Sequence, residues 1–256
     1  MKKFCYTVDD NIRFLKEINR DRPKSIFEHP YLNMYKRLQK KYSLKIQLNL
    51  FYECEDFTLS DMTADYANEW ADASDWLKLS FHSRLNNIRP YENSGYDEVF
   101  ADANAVNTEI ERFASKHSLA KTTTVHYCRA TEEGVLALKD SGVIGLLGLY
   151  GTEENPSVSY TSSKEESLRI STGKTIERDG ISYSGIDLIL NKHNINDGHA
   201  ILKTLLTRDL VKIMIHEQYF YTDYKHYQPD FEEKIDGAFD ILTSSGYKSV
   251  FFEECI

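Results

Sequence analysis

Apolar and polar positions alternate along the chain in two periods, and the switches between them predict the elements. Lys3–Val8 (KFCYTV) reads as a first strand. Ile12, Leu15 and Ile18 then fall at helical spacing within Asn11–Asn19, and a second helical pattern over His29–Tyr42 carries Tyr31, Leu32, Met34, Tyr35 and Leu38. Lys45–Glu53 (KIQLNLFYE) and Trp76–His82 (WLKLSFH) alternate at period two. Asp97–His117 predicts a long helix, Thr122–Cys128 (TTTVHYC) a strand, and Thr131-Glu132-Glu133 the acidic first turn of a helix stopped by Gly142. Val143–Gly151, Gly185–Leu190 and Leu210–His216 are near-continuous apolar strands; a helix over Phe231–Leu242 and a strand over Tyr247–Phe252 close the chain. About eight strands separated by helical segments imply βαβ units and a mostly parallel sheet buried on both faces. The expected architecture is one barrel-like α/β domain over residues 1–256, interrupted by a Ser/Glu/Lys-rich polar insertion at about 152–180, read as a solvated excursion or a lid.

Composition narrows the function classes. The 256 residues are 41% hydrophobic and 28% charged, enough apolar material for a core. With 31 Lys+Arg against 40 Asp+Glu the formal charge is −9, and no basic cluster stands out, so nucleic acid is not an expected partner. Cys5, Cys54, Cys128 and Cys255 are widely spaced and read as reduced thiols. MKKFCYTVDDN lacks the apolar stretch of a secretion signal, and no apolar run approaches a membrane span. A soluble, cytoplasmic protein with no membrane partner is therefore expected.

In parallel α/β folds, chemistry gathers at the carboxyl ends of strands. Four predicted strands carry titratable groups there: Asp9 and Asp10, His82, His126, and His216. Taken singly each has a plain explanation. Asp9 or Asp10 would serve as a cap for the helix beginning near Asn11, and a strand-end histidine is commonly a satisfied polar group. Together they place two carboxylates and three imidazoles on one rim, a donor set that suits a borderline divalent cation such as Zn2+.

The order of these residues resembles the polysaccharide deacetylases, the chitooligosaccharide deacetylase homology superfamily. That family opens with a strand ending Thr-Phe-Asp-Asp, matched here by Thr7-Val8-Asp9-Asp10. Its His-Ser/Thr-x-x-His motif is met by His82-Ser83-Arg84-Leu85-Asn86, and its late Leu-x-His by Met214-Ile215-His216, followed by a helix and a Gly-Tyr strand. The resemblance runs over almost the whole chain and implies a distorted (β/α) barrel of seven to eight strands. It further implies Asp9 as general base, Asp10 and His82 as metal ligands, and His216 as general acid.

Two departures bear on the metal. Asn86 stands where the family has its second ligating histidine, and the Arg-Pro-Pro-Tyr-Gly region reads His126-Tyr127-Cys128-Arg129-Ala130. The third ligand is then either His126 or the Asn86 amide oxygen. The motif that would orient the base is missing, and Asp187 is the expected substitute.

Hydrolysis of an amide C–N bond uses each group once: a cation polarises the carbonyl, a carboxylate takes a proton from water, and a histidine protonates the departing amine. N-deacetylation of a carbohydrate or small intracellular substrate is the expected reaction. The alternative is an altered deacetylase-like barrel that binds carbohydrate or metal without turnover. Tyr219, Phe220, Tyr221, Tyr224 and Tyr227, directly after His216, would either form an aromatic sugar-binding rim or pack their loop onto the barrel.

Overall fold

A computed structural model describes residues 2–152 and 154–256. In chain order the elements are β1 (Lys3–Asn11), α1 (Arg13–Asp21), α2 (Pro30–Tyr42), β2 (Ile46–Phe51), the hairpin of β3 (Glu53–Cys54) and β4 (Phe57–Thr58), α3 (Ala67–Ala73), β5 (Leu77–Ser83) and α4 (Tyr96–Phe113). There follow β6 (Thr122–Thr123), α5 (Glu132–Asp140), β7 (Gly145–Gly148), α6 (Lys164–Ser171), β8 (Ile176–Arg178), β9 (Ile181–Gly185), β10 (Leu188–Ile189), α7 (Ile195–Thr204), β11 (Leu210–His216), α8 (Phe231–Ser244) and β12 (Lys248–Ser249).

The expected mainly parallel α/β architecture is present, with its strands in two main sheets and the separate β3–β4 hairpin instead of one closed ring. The larger has the order β10-β11-β1-β2-β5, all parallel, and the smaller β6-β7-β9-β8, with only β8 antiparallel. β12 joins β1 at Lys3 and Phe4, before β2 begins to pair at Tyr6. At one seam Leu79 bridges to Leu119, and the Ser80 hydroxyl and Gln47 amide both donate to the Thr122 carbonyl at 2.8 Å. At the other, the Asp187 amide donates to Lys212 and the Ile186 amide to Gly148.

The period-two pattern of β2 places Gln47 and Asn49 on one face, yet every residue of Ile46–Phe51 is buried. The polar face looks inward, and Gln47 meets its need for partners there by donating to Asn49 Oδ1 and Thr122 O, both at 2.8 Å. Helices cover the outside. Phe14, Leu15 and Ile18 bury one face of α1, and Phe239 of α8 packs against Phe4 and Tyr6 with ring centroids 6.1 and 4.9 Å apart.

Several expectations change. The strand over Thr122–Cys128 stops after Thr123, and His126–Cys128 form a short 3-10 turn in which Tyr127 and Cys128 hold left-handed φ values of 61° and 56°. The apolar run Val143–Gly151 contributes only four residues to a sheet, and Gly185–Leu190 is divided between the end of β9 and β10. The polar insertion, whose residue 153 lies outside the described residues, holds α6, β8 and the buried Tyr160. The Tyr160 hydroxyl donates to the Leu147 carbonyl at 2.5 Å and receives the Val125 amide at 3.2 Å, so the segment braces the smaller sheet. No helix among the described residues is long and apolar enough to cross a membrane.

Candidate metal centre

β1 and β11 run side by side with Asp9 opposite His216, which sets the predicted base and acid next to each other in the ladder. The β1–β2 register shifts between Val8 and Asn11, and Asp10 sits at that irregularity with φ 62°, a left-handed conformation that aspartate tolerates better than most residues. His82 arrives from β5, whose own register with β2 slips beside Phe51. His126 comes from the turn after β6.

Three of the predicted residues converge. Asp10 Oδ1 lies 3.0 Å from His82 Nε2 and 3.3 Å from His126 Nδ1, and those two nitrogens are 3.1 Å apart. Tetrahedral ligands 2.0–2.1 Å from zinc stand ~3.3 Å from one another, so this spacing fits a small divalent cation. The far nitrogen of each ring is already engaged: His82 Nδ1 meets the Thr124 carbonyl, and His126 Nε2 lies 3.1 Å from Asn86 Oδ1. Both histidines therefore turn an unprotonated nitrogen toward Asp10 when neutral, the tautomer that a metal needs. Among the described residues these three form the one cluster of His, Cys, Asp or Glu whose ligand atoms all come within 4.8 Å of each other.

Electrostatics follow from burial. Burial by itself would raise the Asp10 carboxyl, but His126 and His82, which can bond it when they carry a proton on the near nitrogen, hold it well below the usual carboxylate range. Burial pushes the Asp9 carboxyl up, against the opposing pull of His82 and His216. It pushes both His126 and His216 down. For His82 burial also acts downward, but Asp9 and Asp10 outweigh it and its pKa rises.

Several residues that the sequence did not mark complete the arrangement. Asn49 donates to Asp9 Oδ1 at 2.6 Å, and Asn191 Oδ1 lies 2.9 Å from His216 Nδ1. Gln218 donates to Asp10 Oδ2 at 2.7 Å. The cap of α1 comes from Glu217, whose carboxylate accepts the amides of Ile12, Arg13 and Phe14 at 2.7, 3.1 and 2.8 Å, and not from Asp9 or Asp10. Asp187 does not take the place expected beside the base. It pairs with Arg208 and sits 3.4 Å from Lys212 Nζ, four residues before the His216 end of β11.

A cleft of about 710 Å3 opens beside Asp10, lined among others by Asn86, Asn87, Phe51, Gln218 and Tyr224. The aromatic loop divides its labour. Tyr219 packs edge-on against Tyr224 and lies near the His216 ring, whereas Phe220 packs on Tyr31 and Phe231, and the buried Tyr221 hydroxyl donates to Glu217. Tyr227 is exposed.

No protein-family model matches the chain, and no curated protein matches it in sequence. Solved structures do. A putative polysaccharide deacetylase from Mycobacterium smegmatis aligns over 99% of this chain and 89% of its own, at 8% identity and a TM-score of 0.62. A family 4 acetyl xylan esterase from Clostridium thermocellum, solved in complex with a cobalt ion, aligns over 99% and 89% at 12% identity and a TM-score of 0.54. The chain has the polysaccharide deacetylase fold. A 4-alpha-glucanotransferase from Thermococcus litoralis shares the scaffold too, at 12% identity and a TM-score of 0.63, with this chain spanning 40% of that protein. One fold thus hosts different reactions, and function lies in the side chains that the fold carries, here those at the Asp10 rim.

Proposed function

We propose that the protein is a metal-dependent hydrolase of amide C–N bonds, an N-deacetylase acting on a carbohydrate. The observation that carries this reading is the convergence of Asp10 Oδ1, His82 Nε2 and His126 Nδ1 within 3.0–3.3 Å, with both outward ring nitrogens already engaged. Asp10, His82 and His126 hold the cation, and zinc heads the candidates because two imidazoles and a carboxylate suit it. Asn86 orients His126 and is not itself a ligand. When bound, the cation polarises the amide carbonyl and acidifies a water.

Asp9 takes the proton from the attacking water, its carboxylate steadied by Asn49. His216, oriented by Asn191, gives a proton to the departing nitrogen, because an amide anion is a very poor leaving group. Water adds to the carbonyl, the C–N bond breaks, and the products are an amine and a carboxylate. The cleft has room for more than one sugar ring, and Tyr224 offers an aromatic face with a hydroxyl.

Metal content measured by mass spectrometry, beside acetate release from N-acetylated sugars, tests the reading. One ion per chain in the wild type, lost in His82→Ala and His126→Ala but kept in Asn86→Ala, is the expected result. A wild-type chain that stays metal-free after zinc is supplied overturns it.

A further inference from the structure

Asp10 offers two oxygens to the rim, but only one of them meets the histidines. Oδ1 faces His82 and His126, and Oδ2 is taken by the Gln218 amide at 2.7 Å. Gln218 lies in the 3-10 turn Glu217–Phe220 that follows β11 directly, and its neighbour Glu217 is tied to three successive amides at the start of α1. The turn therefore grips the segment just after Asp10 through Glu217 and Asp10 itself through Gln218.

The other end of the amide is telling. Gln218 Oε1 is buried without a hydrogen-bond partner, although the residue lines the cleft. A buried acceptor left alone is unfavourable, so the side chain is held there for what its nitrogen does.

We propose that Gln218 is a positioning residue that selects Oδ1 of Asp10 as the single carboxylate oxygen presented to the metal, an inference that rests on the metal-site reading above. Asp10 sits at a left-handed φ within a register shift, with no regular ladder to orient its side chain. Without the amide the carboxylate turns and offers both oxygens, which takes up a coordination position that water or substrate needs.

Titration of the full chain with Co2+, followed by its visible absorption, tests this, because the bands of bound Co2+ weaken as coordination number rises. Gln218→Met keeps the length and removes the donor. The visible bands are expected to weaken. Gln218→Leu serves as the second variant, and a wild-type melting transition establishes that each is folded. Wild-type affinity and bands in folded variants overturn the proposal. Lower affinity with unchanged bands overturns it as well, since general loosening of the turn gives that result. Failure of the wild type to take up Co2+ removes the metal-site reading and this inference with it, so the two failures are told apart.

Discussion

Asn86 Oδ1 lies 3.1 Å from Nε2 of His126, on the side of the ring that faces away from Asp10. Two residues that compete for one role in the sequence thus stand in line, and under the proposed function the amide oxygen fixes the tautomer and tilt of the imidazole. Removing such an outer partner commonly weakens a metal site without abolishing it. Asn86→Ala is therefore expected to keep one ion per chain while its zinc affinity drops by roughly 10- to 100-fold. Competition against a chelating dye reads this directly, and wild-type affinity in Asn86→Ala would remove Asn86 from the site.

Asp9 and His216 set the expected response to pH. In the proposed roles Asp9 must be ionised to accept a proton, and burial pushes its pKa up; His216 must carry a proton to donate, and burial pushes its pKa down. The two limbs of the rate profile move toward each other, which gives a narrow optimum on the acid side of neutrality. Replacing Asp9 with Asn should remove the acidic limb along with nearly all turnover. A broad plateau extending above pH 8 would contradict these roles.

The same Asp9 carboxyl bears on stability. Its folded pKa lies above the ordinary carboxylate value, so the folded state binds more protons in the intervening pH range and loses stability as pH rises through that range. Asn keeps the oxygen that accepts from Asn49 and has no charge to bury. Asp9→Asn in the metal-free chain is expected to melt at a higher temperature than wild type at pH 7, with the gap shrinking toward pH 4. Calorimetry at the two pH values checks the sign.

Glu217 carries a structural load. Its two oxygens accept three α1 amides and the Tyr221 hydroxyl in a fully buried setting. Truncation to Ala leaves those donors without partners, at about 1–3 kcal/mol for each that stays buried. Urea denaturation of Glu217→Ala should show a loss of roughly 3 kcal/mol or more. A loss under about 1 kcal/mol would mean that water replaces the carboxylate at little cost.

Much of the rim was legible because its residues sit where an apolar run gives way to polar ones. Asp9, Asp10, His82 and His216 all mark such ends, and the alternation of β2 carried Asn49 without revealing that its polar face turns inward. Glu217 was not legible, since its partners lie more than 200 positions away and leave no local periodicity. Thr122–Cys128 misled for the opposite reason. Its β-branched residues favour strand, but the chain leaves the ladder after Thr123, and the left-handed turn that brings the His126 ring to Asp10 overrides that preference. Asp187 failed by register, as its partners are Arg208, just before the neighbouring strand, and Lys212 near that strand's start.

The irregularity at Asp10 has a consequence for how such a site is acquired. In an unbroken strand consecutive side chains leave on opposite faces of the sheet, so adjacent aspartates would serve one cavity and one outer layer. The left-handed step at Asp10 breaks that parity, and both carboxylates feel the charge of His82 and His216. The doublet is thus a property of the kink as much as of the two side chains. Asp-Asp grafted onto a straight strand would deliver the proposed base or the proposed ligand, never the pair.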